Sequence, residues 1–192
     1  MRRPALLLAV TALLASFTTG AARADLNLFG DYYSNIPRAV AQGDAATVQR
    51  LLADGTTPQQ LDDDKRTGLH IAAQTGNLQI FAILVKYGAR LDVTDPLGNT
   101  PLHYAADRDR IEMVKLMVAL KAPIDADNKA GITPLMLAAS HGYVEVVQAL
   151  LAAGANPRKT DFTGHDALSF ARDSHKAGMV QVIERATAAT KR

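Results

Sequence analysis

The 192-residue chain has no cysteine and no tryptophan, and only 5% of its residues are aromatic. Without cysteine there is no disulfide scaffold, thiol nucleophile, thiolate zinc site or cysteine-linked lipid. An excess of charge of one sign is missing too: 21 Lys+Arg face 19 Asp+Glu, for a net of +2. That balance excludes an acidic solvating tail and a strongly basic nucleic-acid binder. A long apolar run is also lacking. The stretch from Pro4 to Phe17 is 14 residues, short of the roughly 18–20 that cross a bilayer as a helix. The length suits one domain.

The small positive excess is unevenly placed. Residues 1–24 hold Arg2, Arg3 and Arg23 and no acid, so 18 basic residues face 19 acidic ones in the remainder. A cationic start, an apolar stretch from Ala5 to Ala15 and the tripeptide Ala22-Arg23-Ala24 form the three regions of a secretory signal peptide. Cleavage is expected after Ala24, by the general secretory route. The mature protein is then expected in the periplasm or outside the cell, with no membrane attachment.

The mature chain repeats itself. Thr67-Gly68-Leu69-His70, Thr100-Pro101-Leu102-His103 and Thr133-Pro134-Leu135-Met136 start 33 residues apart. The same offset links Ala72-Ala73, Ala105-Ala106 and Ala138-Ala139, and also Gly43, Gly76 and Gly142. No insertion or deletion interrupts the register from Ser34 onward.

The run Asp95-Pro96-Leu97-Gly98-Asn99-Thr100-Pro101-Leu102-His103-Tyr104-Ala105-Ala106, with Gly131-Ile132-Thr133-Pro134-Leu135 and Leu150-Leu151-Ala152-Ala153-Gly154-Ala155, resembles the ankyrin repeat family. The resemblance covers roughly residues 30–190. It implies an all-α solenoid of helix-turn-helix units joined by β-hairpin loops. Five units are expected, at about 28–60, 61–93, 94–126, 127–159 and 160–192, following a capping segment at 25–33. Leu26, Leu28, Phe29, Tyr32 and Tyr33 are expected to lie over the open end of the stack.

Local chemistry agrees with that picture. Thr100 and Thr133 suit a helix N-cap, with Pro101 and Pro134 in the first turn, where a missing N–H costs nothing. Gly76 and Gly142 suit a left-handed residue that ends the first helix. The second helices show apolar spacing at Ile111, Met113, Val114, Leu116 and Met117, and again from Val144 to Leu151. Each unit is too small to bury its own apolar face, and stacking buries it. Asp109 and Lys121 stand where other units have glycine, so strain is expected at both bends. In the last unit, Val180 and Ile183 are expected to face inward, with Lys176, Gln181, Glu184 and Arg185 outward.

Catalytic chemistry finds no support. His70 and His103 fall at a family motif position, where the resemblance implies hydrogen bonds that tie neighbouring repeats. His141, His165 and His175 sit at loop ends, without the spacing that places two imidazoles on one metal. Asp62-Asp63-Asp64 lacks the pattern of a calcium loop and reads as a solvated hairpin whose carboxylates satisfy turn amides. Asp107-Arg108-Asp109-Arg110 alternates in sign, which suits local ion pairs or a specificity patch. No nucleophile elbow, phosphate loop or dinucleotide fingerprint is present. No catalytic residue, metal or cofactor is expected.

The resemblance places partner contacts at hairpin tips and at the ends of the first helices. At the tips these are Arg66, Leu97, Asn99, Ile132, Phe162 and His165; at the helix ends, Gln74, Thr75, Asp107, Arg108, Ser140, His141, Asp173 and Ser174. Leu97, Ile132 and Phe162 either form an exposed apolar ladder or pack on adjacent turns. The expected function is a monomeric, non-catalytic scaffold in the bacterial periplasm that binds another protein and no nucleic acid. It looks like the small exported ankyrin proteins of Gram-negative bacteria, some of which are associated with periplasmic catalase and oxidative-stress defence. A secreted effector that binds a host protein is the alternative; an enzyme or solute-binding protein would need a deep pocket.

Overall fold

The structure is a computed structural model that describes residues 35–173 and 177–189. The proposed signal peptide, the segment 25–34, and Ser174, His175 and Lys176 lie outside the described residues. The description below concerns the compact unit that begins at Ile36.

Among the described residues there are ten helices in five antiparallel pairs: α1 (Ile36–Ala41) and α2 (Ala45–Ala53), α3 (Gly68–Thr75) and α4 (Leu78–Lys86), α5 (Pro101–Asp107) and α6 (Ile111–Ala119), α7 (Pro134–His141) and α8 (Val144–Ala152), α9 (Ala167–Asp173) and α10 (Ala177–Ala189). The fold is the helical solenoid expected from the repeats. The first helices stack in one row, α1 on α3, α3 on α5, α5 on α7 and α7 on α9. The second helices form another row, in which α2 packs on α4, α6 on α8 and α8 on α10, whereas α4 and α6 meet only marginally. The hairpins between units are turns; two of them carry a single antiparallel bridge, Leu61 to Thr67 and Thr160 to Asp166.

The core runs the length of the stack. Leu69, Leu102 and Leu135 in the first helices, with Ile80, Phe81, Leu84, Val114, Met117, Val147 and Leu150 in the second, are fully buried. Ala72-Ala73, Ala105-Ala106 and Ala138-Ala139 are all buried, because only small side chains let the helix axes approach this closely. In α10, Ile183 is buried and Val180 half-buried, with Gln181, Glu184 and Arg185 exposed, as expected; Met179 also enters the core.

Helix ends follow the sequence. Gly76 and Gly142 are left-handed at φ 79° and 72°. Asp109 and Lys121 take the same conformation at φ 55° and 60°, and so does Lys65 at φ 60°, in the hairpin register of Gly98 and Gly131. The caps follow too. Thr133 accepts a bond from the Met136 N–H at 3.3 Å, and Thr67 and Thr100 form capping boxes with His70 and His103, whose Nδ1 atoms lie 2.8 and 2.9 Å from the hydroxyls.

Candidate interaction surface

Each hairpin is clasped by one side chain at its base. Asp62, Asp95, Asn128 and Asp161 stand 33 residues apart, and the Oδ1 atom of each accepts from the residue four positions on: Arg66, Asn99, Ile132 and His165, at 2.7–3.0 Å. In the last three it also accepts from the residue two positions on. The carboxylate or amide thus supplies the acceptors that a four-residue turn cannot provide for its own N–H groups. Of these four, sequence reasoning singled out only Asp62. The 33-residue period of Asp/Asn would have revealed the others.

Backbone bonds join one hairpin tip to the next. The Lys129 N–H donates to the Leu97 carbonyl at 2.9 Å, and the Phe162 N–H to the Ala130 carbonyl at 3.1 Å. Deeper in, His70 Nε2 lies 3.1 Å from the Asn99 carbonyl and His103 Nε2 lies 3.0 Å from that of Ile132. Nδ1 of each ring accepts from the Thr67 or Thr100 N–H, so Nε2 carries the proton and donates across the repeat boundary. The expected structural role of both histidines is therefore observed. Burial pushes both imidazoles below their ordinary value and keeps them neutral. Met136 takes the place of a third histidine; its sulfur meets only the Thr133 N–H, at 3.4 Å.

A polar cluster links the second and third hairpins to the first helices. Asp95 is buried and accepts from the Tyr104 hydroxyl at 2.7 Å and from Asn99 Nδ2 at 3.2 Å. Burial works against its charge, but the bonds from Tyr104, Asn99 and Leu97 prevail and hold the carboxyl below its usual range. Burial and the Asp95 carboxylate together push the Tyr104 phenol up to about 12. The Tyr104 ring meets His70 edge-on at 5.6 Å. Tyr104 was not among the residues singled out from the sequence.

The expected contact residues fall into two groups. Arg66 is engaged internally: it pairs with Asp62 at 2.9 Å and Asp64 at 3.1 Å and reaches Gln74 at 3.4 Å. The Asn99 amide is held between Asp95 and Asn128. Asp107 pairs with Arg108 at 3.2 Å and with His141 of the next unit at 2.9 Å, while the His141 ring lies 5.3 Å from Tyr143. His165 contacts the Thr163 hydroxyl at 2.7 Å and sits near Phe170. Ile132 is half-buried against the core, which interrupts the apolar ladder. It occupies the register of Asn99 and His165, behind the tip. Leu97 and Phe162 are the open ones, 66% and 76% exposed, and Phe162 rests one edge against Gly131.

The chain matches the ankyrin repeats (3 copies) description over residues 37–129 and the ankyrin repeat description over residues 130–162. Among curated proteins it is similar to the potassium channel GORK of Arabidopsis thaliana, 42% identical over 60 residues, and to the potassium channel KOR1 of Oryza sativa subsp. japonica, 43% identical over 65 residues. The matched stretches are 31% and 34% of this chain but 7% and 8% of those proteins. The chain thus spans less than a tenth of the relatives it resembles.

Proposed function

Because this chain belongs to the ankyrin repeat family, we propose that it is a non-catalytic scaffold, exported to the bacterial periplasm, that holds a partner protein on its hairpin tips and adjoining first-helix ends. Ankyrin repeats mediate protein–protein interaction, and no group of metal-binding side chains stands among the described residues. The observation that carries the choice of surface is the exposure of Leu97 and Phe162 at hairpin tips. Large apolar side chains left open at the tips, with the charged pair Asp107–Arg108 at the end of a first helix, are the material of interface anchors. Arg66 and Asn99, whose polar atoms are occupied internally, act in this reading as positioning residues for their hairpins.

Export rests on the composition of residues 1–24, with the cationic start, apolar stretch and Ala22-Arg23-Ala24 described above. The test is fractionation of the producing cell followed by capture of partners from the periplasmic extract. A processed chain in that fraction, with partners captured by wild type and lost by Phe162→Ala/Arg108→Ala, supports the reading. Absence of the chain from the periplasm overturns the export. Equal capture by both proteins overturns the surface.

A further inference from the structure

The boundary between the second and third repeats lacks the ties that later boundaries possess. At the tips, Lys129 and Phe162 donate their N–H groups to the preceding hairpin. The residue at the same register one unit earlier is Pro96, which has no N–H to offer the Asp64 carbonyl. In the loops after the second helices, the Asn156 N–H donates to the Asp125 carboxylate at 3.0 Å. One unit earlier that register holds Pro123, again without a donor, and Asp92 pairs with its neighbour Arg90 at 2.9 Å instead. Lys159 adds a bond to the Asp125 carbonyl at 2.6 Å and an ion pair with Asp127 at 2.7 Å. Its counterpart is Ala126, which can do neither.

The second-helix row is also thinnest at the same place, although Ile80, Phe81, Leu84, Met113, Val114 and Met117 remain buried. Of the neighbouring second helices, only α4 and α6 meet marginally. An open groove of about 290 Å³ lies between their N-terminal ends, lined by Thr75, Leu78, Ile111 and Met113, with Arg110 and Glu112 also at its wall. A groove of about 360 Å³ also lies between α6 and α8, so the missing bonds and the thin helix contact are what set this boundary apart. The first-helix row, by contrast, is intact. α3 packs on α5, His70 reaches Asn99, and Arg110 Nε donates to the Gln74 carbonyl at 3.1 Å with its stem laid over Gly76.

We propose that this boundary is an internal hinge: repeats one and two rock against repeats three to five about the α3–α5 contact, and α4 and α6 move apart and together where their contact is thin. In a stack where each unit touches only its neighbours, one loose boundary concentrates the bending of the array. The movement changes the curvature of the face that the first helices and hairpins share. The hinge does not depend on the identity of any partner.

The absence of native cysteine makes the test direct. Gln79, Glu112 and Glu145 are exposed and occupy the same register of α4, α6 and α8. Spin labels on the full mature chain at Gln79→Cys/Glu112→Cys span the proposed hinge. Labels at Glu112→Cys/Glu145→Cys span the next boundary and share one site. Pulsed dipolar spectroscopy is expected to give a broader distance distribution for the first pair than for the second. Restoring the donors with Pro96→Lys and Pro123→Asn is expected to narrow the first distribution towards the second. Equal widths in the unaltered background overturn the hinge, even where the restored variant fails to fold. A broad first distribution that the restored donors leave unchanged overturns the assignment to the two prolines.

Discussion

At Gly131 two constraints coincide that are separate at Gly164. Both residues have positive φ, 79° and 88°. A Cβ on Gly131 would lie 2.8 Å from the Phe162 backbone nitrogen, whereas one on Gly164 would meet nothing within 4 Å. Gly164→Ala therefore carries only the left-handed penalty, about 1–2 kcal/mol. Gly131→Ala adds an overpacking cost of about 1–3 kcal/mol and pushes the hairpin that carries Phe162 away from the one that carries Gly131. Chemical denaturation of the two variants checks the difference, and equal losses would remove the tip-to-tip contact as its cause. The sequence made the glycines at 98, 131 and 164 legible as turn residues. It could not say which of them is backed by another hairpin, because that depends on a neighbour 31 residues away. Likewise His70 and His103 were readable as ties from their motif, while the burial of Ile132 was not, since hairpin register alone does not show which side faces the core.

α6 is the helix with the least favourable ends. Asp109 precedes it and Lys121 follows it, both at positive φ, where the neighbouring units place Gly76 and Gly142 or Gly88 and Gly154. Its N-cap, Arg110, accepts no bond from the first turn, whereas Asp44 and Asn77 each accept one. The substitution Lys121→Gly is expected to stabilise the protein by about 0.5–1 kcal/mol: relief of the left-handed penalty outweighs the entropy glycine adds to the unfolded chain. A rise in the thermal midpoint checks it, and a fall would show that the lysine makes a compensating interaction. The two departures from glycine were visible in the sequence as strained bends. The weak α4–α6 contact was not, because periodicity reports which residues share a register but not how closely two copies approach.

For the whole stack, two neutral histidines on consecutive boundaries make stability depend on pH. Burial places both below the ordinary value of 6.5, so near that value the unfolded chain binds protons that the folded chain refuses. Their contribution is complete above about pH 6.5 and is lost as pH falls from there through the folded values. A proton on Nδ1 would also point at the Thr67 or Thr100 N–H, which already donates there. Denaturation midpoints are expected to drop between about pH 7 and pH 5. The drop should shrink in His70→Met/His103→Met, which copies the residue found at Met136; an unchanged pH slope in that variant would assign the effect elsewhere. Asp95, held below its ordinary 3.8, adds a second loss only at more acidic pH.

The bonds that Lys129 and Phe162 make to the preceding hairpins come from backbone N–H groups, so the side chains at those positions play no part in them. A lysine and a phenylalanine fill the same joint equally well. The joinery of the tips is therefore indifferent to spelling, and mutation can rewrite their outward text, charged or aromatic, without loosening the grammar beneath it. Proline is the one letter that grammar does not parse. Where it occurs, the sentence divides into two clauses.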